Sequence, residues 1–97
     1  MSVIVTIELS VKPERLQELK NSLEALLPGT RAYDGSEAIQ LTQDVEDENH
    51  IVFVEYWASK EHFEKYMAWR TETGVLDQLM GMVTQPPKIT ILNDTAI

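Results

Sequence analysis

The chain has no cysteine, which excludes disulfides, thiolate metal sites, iron–sulfur clusters and a cysteine nucleophile. Basic residues are scarce as well. Eight Lys and Arg stand against sixteen Asp and Glu, a net charge of −8. Nucleic-acid binders cluster their basic residues to neutralise phosphates; here they are scattered, so no nucleic-acid partner is expected. Histidine occurs only at His50 and His62, neither with a second imidazole at ligand spacing, so no metal is expected. No apolar run approaches the ~20 residues that span a bilayer, so no membrane segment is expected. The opening MSVIVTIELSV has no basic region and carries Glu8, unlike a signal peptide, so a cytoplasmic location is expected. Neither G-x-G-x-x-G nor a P-loop occurs, and no flavin, nicotinamide or nucleotide cofactor is expected.

What is present fits one soluble domain over residues 1–97, with 43% hydrophobic and 25% charged residues. Val3, Val5, Ile7, Leu9 and Val11 alternate with more polar neighbours, the signature of a strand. Lys12-Pro13 then changes the period, since proline suits a first helical turn. Leu16, Leu19, Leu23, Leu26 and Leu27 form one helical stripe, which Pro28-Gly29 is expected to end. Residues 35–45 read as a weaker strand, with Ile39, Leu41 and Val45 on one face. The acidic turn Asp44 to Asn49 lacks the glycine and terminal glutamate of a calcium loop, and its shortness implies an antiparallel hairpin. Ser59 is a plausible N-cap for a helix carrying Phe63, Tyr66, Met67 and Arg70 on one face. After a break at Thr71–Gly74, a second helical segment runs from Val75 to Val83, and a last strand follows Pro86-Pro87 at Lys88 to Asn93. The order β-α-β-β-α-β predicts an α+β, ferredoxin-like sandwich with an antiparallel sheet and helices on one face.

The strand IVFVEYW, Ile51 to Trp57, is apolar on both faces apart from Glu55. Helices cover one face only, and the other would be polar in a lone chain. Burying Val52, Val54 and Tyr56 is worth roughly 1.5–3 kcal/mol each. Doubled across a two-fold axis, that is comparable with the ~4–15 kcal/mol that association costs, so a homodimer packed sheet on sheet is expected. The alternative is a loop folded over this face.

These elements resemble those of the antibiotic biosynthesis monooxygenase family. The resemblance rests on the opening strand, Val11-Lys12-Pro13, Arg31 four residues ahead of Gly35, the Asp44-to-Asn49 turn, Glu55-x-Trp57, Ser59-Lys60-Glu61 and the strand behind Pro86-Pro87. It implies a dimeric α+β barrel with a pocket between sheet and helices, lined from the second helix and the first strand. It also implies an activity drawn from a range that includes cofactor-free oxygenases of quinols and polyketide phenols, haem-degrading enzymes and an isomerase-like enzyme. Many relatives carry a histidine nine residues after the third strand's tryptophan, where this chain has Tyr66. Haem degraders use an asparagine, a tryptophan and a histidine at positions matching approximately Thr6, Tyr66 and Leu76. All three differ, so haem chemistry is not expected.

The candidate catalytic residues are Tyr66 and Arg70, one helical turn apart. A phenol can hydrogen-bond a substrate oxygen, and a guanidinium can stabilise a phenolate or enolate. Against this, Tyr66 could simply pack its ring into the core and Arg70 could be a solvated helix-end residue. Candidate substrate contacts are Thr6, Glu55, Trp57, Phe63 and Trp69. Glu55 reads either as a base of raised pKa or, preferentially, as the partner of a basic group across the dimer. Trp57 and Trp69 could stack on an aromatic substrate, although Trp57 reads more readily as structural. His50 and His62 read as surface residues, with His62, four residues before Tyr66, as the outside candidate for acid–base work. The leading functional expectation is a cofactor-independent monooxygenase of small phenolic or quinol-type substrates. An isomerase or cyclase, and a non-catalytic small-molecule-binding dimer module, are the competing ones.

Overall fold

The computed structural model describes residues 2–97. Along Val3–Ser10 (β1) buried and half-buried residues alternate without a break, as a strand with one face in the core requires. β1 pairs antiparallel with His50–Trp57 (β3), from Val3 opposite Trp57 to Ser10 opposite His50. Its other edge pairs antiparallel with Lys88–Asn93 (β4). Ser36–Gln43 (β2) closes the expected hairpin with β3, with a register shift between Ser36 and Ala38. The strand order is therefore β2-β3-β1-β4. With three helices, this is an α+β ferredoxin-like fold.

A 3₁₀ turn at Pro13–Arg15 leads into the first helix, Leu16–Ala32 (α1). The second, Lys60–Glu72 (α2), starts where expected: the Ser59 hydroxyl accepts a hydrogen bond from the His62 backbone N–H at 3.2 Å. Gly74, at φ 80°, then turns the chain into the short helix Val75–Met80 (α3). Leu19 and Leu23 of α1, Phe63 and Tyr66 of α2 and Leu79 of α3 pack with Val5, Ile7, Leu9, Phe53 and Trp57 of the sheet in one core.

Three expectations about the elements are corrected. Pro28-Gly29 does not end α1, which continues to Ala32. Pro28 lacks only the N–H that would reach the Glu24 carbonyl, and both residues are exposed, so water can serve that carbonyl instead. The segment after the break is helical only to Met80; Val83 instead forms a bridge with Val11. Val45 lies beyond β2 and is 99% exposed, so it does not share the face of Ile39 and Leu41.

Candidate functional site

Between sheet and helices lies a cavity of about 230 Å³. Leu26, Leu27, Met67, Leu76 and Met80 from the helices and Ile7, Ile39 and Phe53 from the sheet make most of its wall. An apolar void of about 150 Å³ takes up benzene, so this one has room for a ring-sized molecule. Contributions come from all three helices, more than the second helix and first strand that were expected. The polar side chains on its wall are Thr30, Glu55, Tyr66 and Arg70.

Three of these form one network. Tyr66 and Arg70 sit at i and i+4, so α2 stacks them on its inner face. Arg70 Nε donates to the Tyr66 hydroxyl at 3.0 Å. Arg70 Nη2 donates to the Leu26 carbonyl at 2.9 Å and to Thr30 Oγ1 at 3.1 Å. The Tyr66 and Thr30 hydroxyls are 2.7 Å apart, and Thr30 Oγ1 also lies 3.3 Å from the Leu26 carbonyl. A carbonyl can only accept. The protons therefore run from Tyr66 to Thr30 and from Thr30 to Leu26, which leaves the phenol oxygen accepting from Arg70. The guanidinium also lies over the Trp69 ring, 4.3 Å from its centroid, a cation–π contact.

Arg70 is only 7% exposed, and no carboxylate lies within ion-pair distance of it among the described residues. Its charge is held by hydrogen bonds and aromatic faces alone. A buried cation without a counter-ion is costly, and an anionic or strongly polarised oxygen in the cavity would offset that cost.

Glu55 is the other buried charged residue, 2% exposed. Its carboxyl lies on the helix-facing side of β3, so the expected pairing with a basic group across a dimer is corrected. The strand's two-residue period puts Glu55 on the same side as Phe53 and Trp57, away from the open face. Trp57 Nε1 donates to Glu55 Oε1 at 2.8 Å. Burial pushes the carboxyl's pKa up, and the Trp57 hydrogen bond opposes this only in part.

The other candidate contacts lie elsewhere. Trp57 and Phe63 are buried behind Tyr66, with the Trp57 ring 4.9 Å from Tyr66 and 5.9 Å from Phe63 between centroids. Trp69 stacks on Tyr33 at 5.1 Å. These rings fix the back of Tyr66 and are not part of the cavity wall. Thr6 belongs to the opposite face of the sheet, paired with Val54 and Thr90.

Neither histidine is on the cavity wall. His62 Nδ1 meets its helix cap, Ser59 Oγ, at 2.7 Å. His50 lies between Asp44 at 3.0 Å and Glu8 at 3.3 Å, and the Asp44 hydrogen bond raises its pKa. An iron-ligating imidazole has no counterpart among the residues that line the cavity.

Thr30 and Gly29 were not legible as site residues. Gly29 lies against Arg70: a Cβ there would stand 3.2 Å from Nη2. Only once the helix is seen to run past Pro28 do Leu19, Leu23, Leu26 and Thr30 continue one i, i+4, i+3, i+4 stripe.

Fold and cavity together define a ferredoxin-like α+β protein with an apolar chamber between its layers, polar at a few points. The sequence profile of the antibiotic biosynthesis monooxygenase family matches residues 2–71, and the chain belongs to that family. Among solved structures, it is similar to a conserved protein from Methanosarcina mazei Go1, with a TM-score of 0.91 at 19% identity, covering 98% of this chain and 94% of that one. It is also similar to Rv0793 from Mycobacterium tuberculosis, with a TM-score of 0.86 at 21% identity over 97% and 95% of the two chains. A third similar structure is an antibiotic biosynthesis monooxygenase, with a TM-score of 0.87 at 20% identity over 96% and 98%. At these identities the likeness establishes the fold. No curated protein matches the chain. No helix among the described residues is long and apolar enough to cross a membrane.

Proposed function

We propose that this chain is a cofactor-independent monooxygenase, working as a cytoplasmic homodimer, that oxidises a small phenolic or quinol-type substrate held in the cavity. The observation that carries this reading is the buried Arg70–Tyr66–Thr30 network. It places a cation without a counter-ion beside a phenol, at the edge of a chamber otherwise lined almost wholly by apolar side chains. A phenol reacts with dioxygen far more readily once it has lost its proton. The guanidinium offsets the resulting oxyanion charge, and the apolar wall lowers the local polarity and orients the ring. Membership of the family supports an oxygenase over an unrelated activity on the same fold.

The test is incubation of the purified chain with a panel of quinols and naphthols under air, with oxygen uptake and product mass recorded. The expected result is uptake above the protein-free blank and a product one oxygen heavier and two hydrogens lighter. Arg70→Ala is expected to lower kcat/KM by about 10²–10³-fold, in the range of a lost oxyanion donor, and Tyr66→Phe by less, since its hydroxyl donates to Thr30 and orients Arg70 rather than reaching the substrate. Unchanged rates in both variants would remove the assigned roles. Turnover that persists without oxygen would replace the reading with an isomerase or cyclase, and saturable binding without turnover with a binding module.

A further inference from the structure

The oxygenase reading leaves one step without a residue, because something must take the substrate's proton. Arg70 cannot, since a guanidinium is a donor only and has no site that accepts a proton. The Tyr66 hydroxyl is committed to Thr30 and Arg70. Resting on that reading, we infer that Glu55 is the proton-transfer residue of the cavity, and that Trp57 is its positioning residue.

The geometry supports this in three ways. Glu55 projects from the sheet into the cavity, opposite the helix layer that carries Arg70 and Tyr66. Only Oε1 is engaged, by Trp57. Among the described residues, the one fully enclosed side-chain atom without a partner is Asn49 Oδ1, so the unpaired Oε2 of Glu55 is open to the chamber. Trp57 is itself held by Tyr33, Phe63 and Tyr66, which fixes the direction of its N–H and so of the carboxyl. The other titratable side chains on the wall are Tyr66 and Arg70, both from α2; α1, α3, β1, β2 and β4 contribute none. A carboxyl whose pKa burial has raised is also a better match to a phenol proton than an exposed one.

The step balances. The Glu55 carboxylate takes the hydroxyl proton. The phenolate passes two electrons in sequence to dioxygen as a ring carbon–oxygen bond forms, so the ring is oxidised and dioxygen is reduced to peroxide. Glu55 returns its proton to the distal peroxide oxygen. The O–O bond then breaks, and the departing hydroxide removes the hydrogen of the same ring carbon as water. A quinone oxygen is left behind, and Glu55 is again a carboxylate.

The experiment uses 4-nitrophenol as a binding probe, with the chain labelled with ¹³C at its glutamate carboxyls. The Glu55 resonance is assigned by its loss in Glu55→Gln, which keeps the acceptor oxygen for Trp57, and circular dichroism checks that the variant is folded. The expected result is that the probe binds and displaces the Glu55 titration. With an oxygen-consuming quinol, Glu55→Gln should lower kcat by about 10²–10⁴-fold with KM little changed and remove the acid limb of the pH profile. Trp57→Phe, which withdraws a donor from the carboxylate, should move that limb to higher pH. A bound probe with an unmoved Glu55 resonance, or wild-type kcat and an intact limb in Glu55→Gln, overturns the assignment alone. A displaced resonance without oxygen uptake overturns the oxygenase reading and leaves the proton contact standing. Failure of the probe to bind overturns both.

Discussion

Glu55 and Arg70 are both deeply buried and both ionisable, yet they are stabilised in opposite ways. The Arg70 guanidinium donates to two hydroxyls and a carbonyl. Glu55 has one donor, and burial wins over it, so its folded pKa lies above the unfolded one. The consequence for stability has a definite sign. The folded state holds the Glu55 proton more tightly than the unfolded state does. That contribution is complete below the unfolded pKa and is lost as pH rises through the folded pKa. Glu55→Gln cannot ionise, so it escapes the loss. The melting temperature of the variant relative to wild type is expected to rise steadily from about pH 4 upward, then level off once Glu55 is ionised in the folded chain. Paired thermal melts from acid to mildly alkaline pH check this. A constant or falling difference would mean that the carboxyl finds a cation the structure does not give it.

The strands were legible because their signal is local. The alternation of Val3, Val5, Ile7 and Leu9 needs nothing outside β1 to be read, and the core takes all four. The end of α1 was not legible, because its cause is tertiary. Thr30 is buried and bonded to Tyr66 and Arg70, and the Leu26 carbonyl receives Arg70. Those contacts, 36 to 44 residues away in sequence, hold the last turn of the helix against the local preference of Pro28-Gly29. The site was legible to the same extent: Tyr66 and Arg70 share a helix face, whereas Thr30 reaches them only through the fold. Glycines separate in a similar way. Gly35 and Gly74 both have positive φ, at 89° and 80°. A Cβ on Gly35 would overlap the His62 ring, whereas one on Gly74 would meet nothing within 4 Å. Gly74→Ala is therefore expected to cost only the left-handed backbone, about 1–2 kcal/mol. Gly35→Ala adds steric crowding and is expected to cost about 2–4 kcal/mol. Urea unfolding of the two variants side by side measures the difference, and equal losses would show that His62 can move aside freely.

The sheet's second face carries the remaining consequence. Register places Ala38, Tyr56, Ile4 and Leu92 in one row across it and Gln40, Val54, Thr6 and Thr90 in the next. No helix covers these rows: Tyr56 is 42% and Leu92 43% exposed in the single chain. A loop over this face was the alternative to a dimer, but the β2–β3 turn stays at the hairpin's end and the segment leading into β4 bridges from Val83 to Val11. The homodimer we propose would bury these side chains against their own copies. Charge works against it, because each chain carries −8 and like charges repel across the assembly. Added salt screens that repulsion while leaving apolar burial intact, so the dimer should tighten with ionic strength, the reverse of an assembly held by ion pairs. Val54→Asp puts a carboxylate from each chain into the proposed interface and is expected to weaken association by at least 10²-fold, since an unpaired buried charge costs several kcal/mol. Sedimentation at micromolar concentration checks both expectations. Wild type should sediment at twice 11.1 kDa and Val54→Asp at 11.1 kDa, with the cavity and its Arg70–Tyr66–Thr30 network intact in the variant, because every element that builds them belongs to one chain. A wild-type chain that sediments alone and remains folded would leave the open face without its partner.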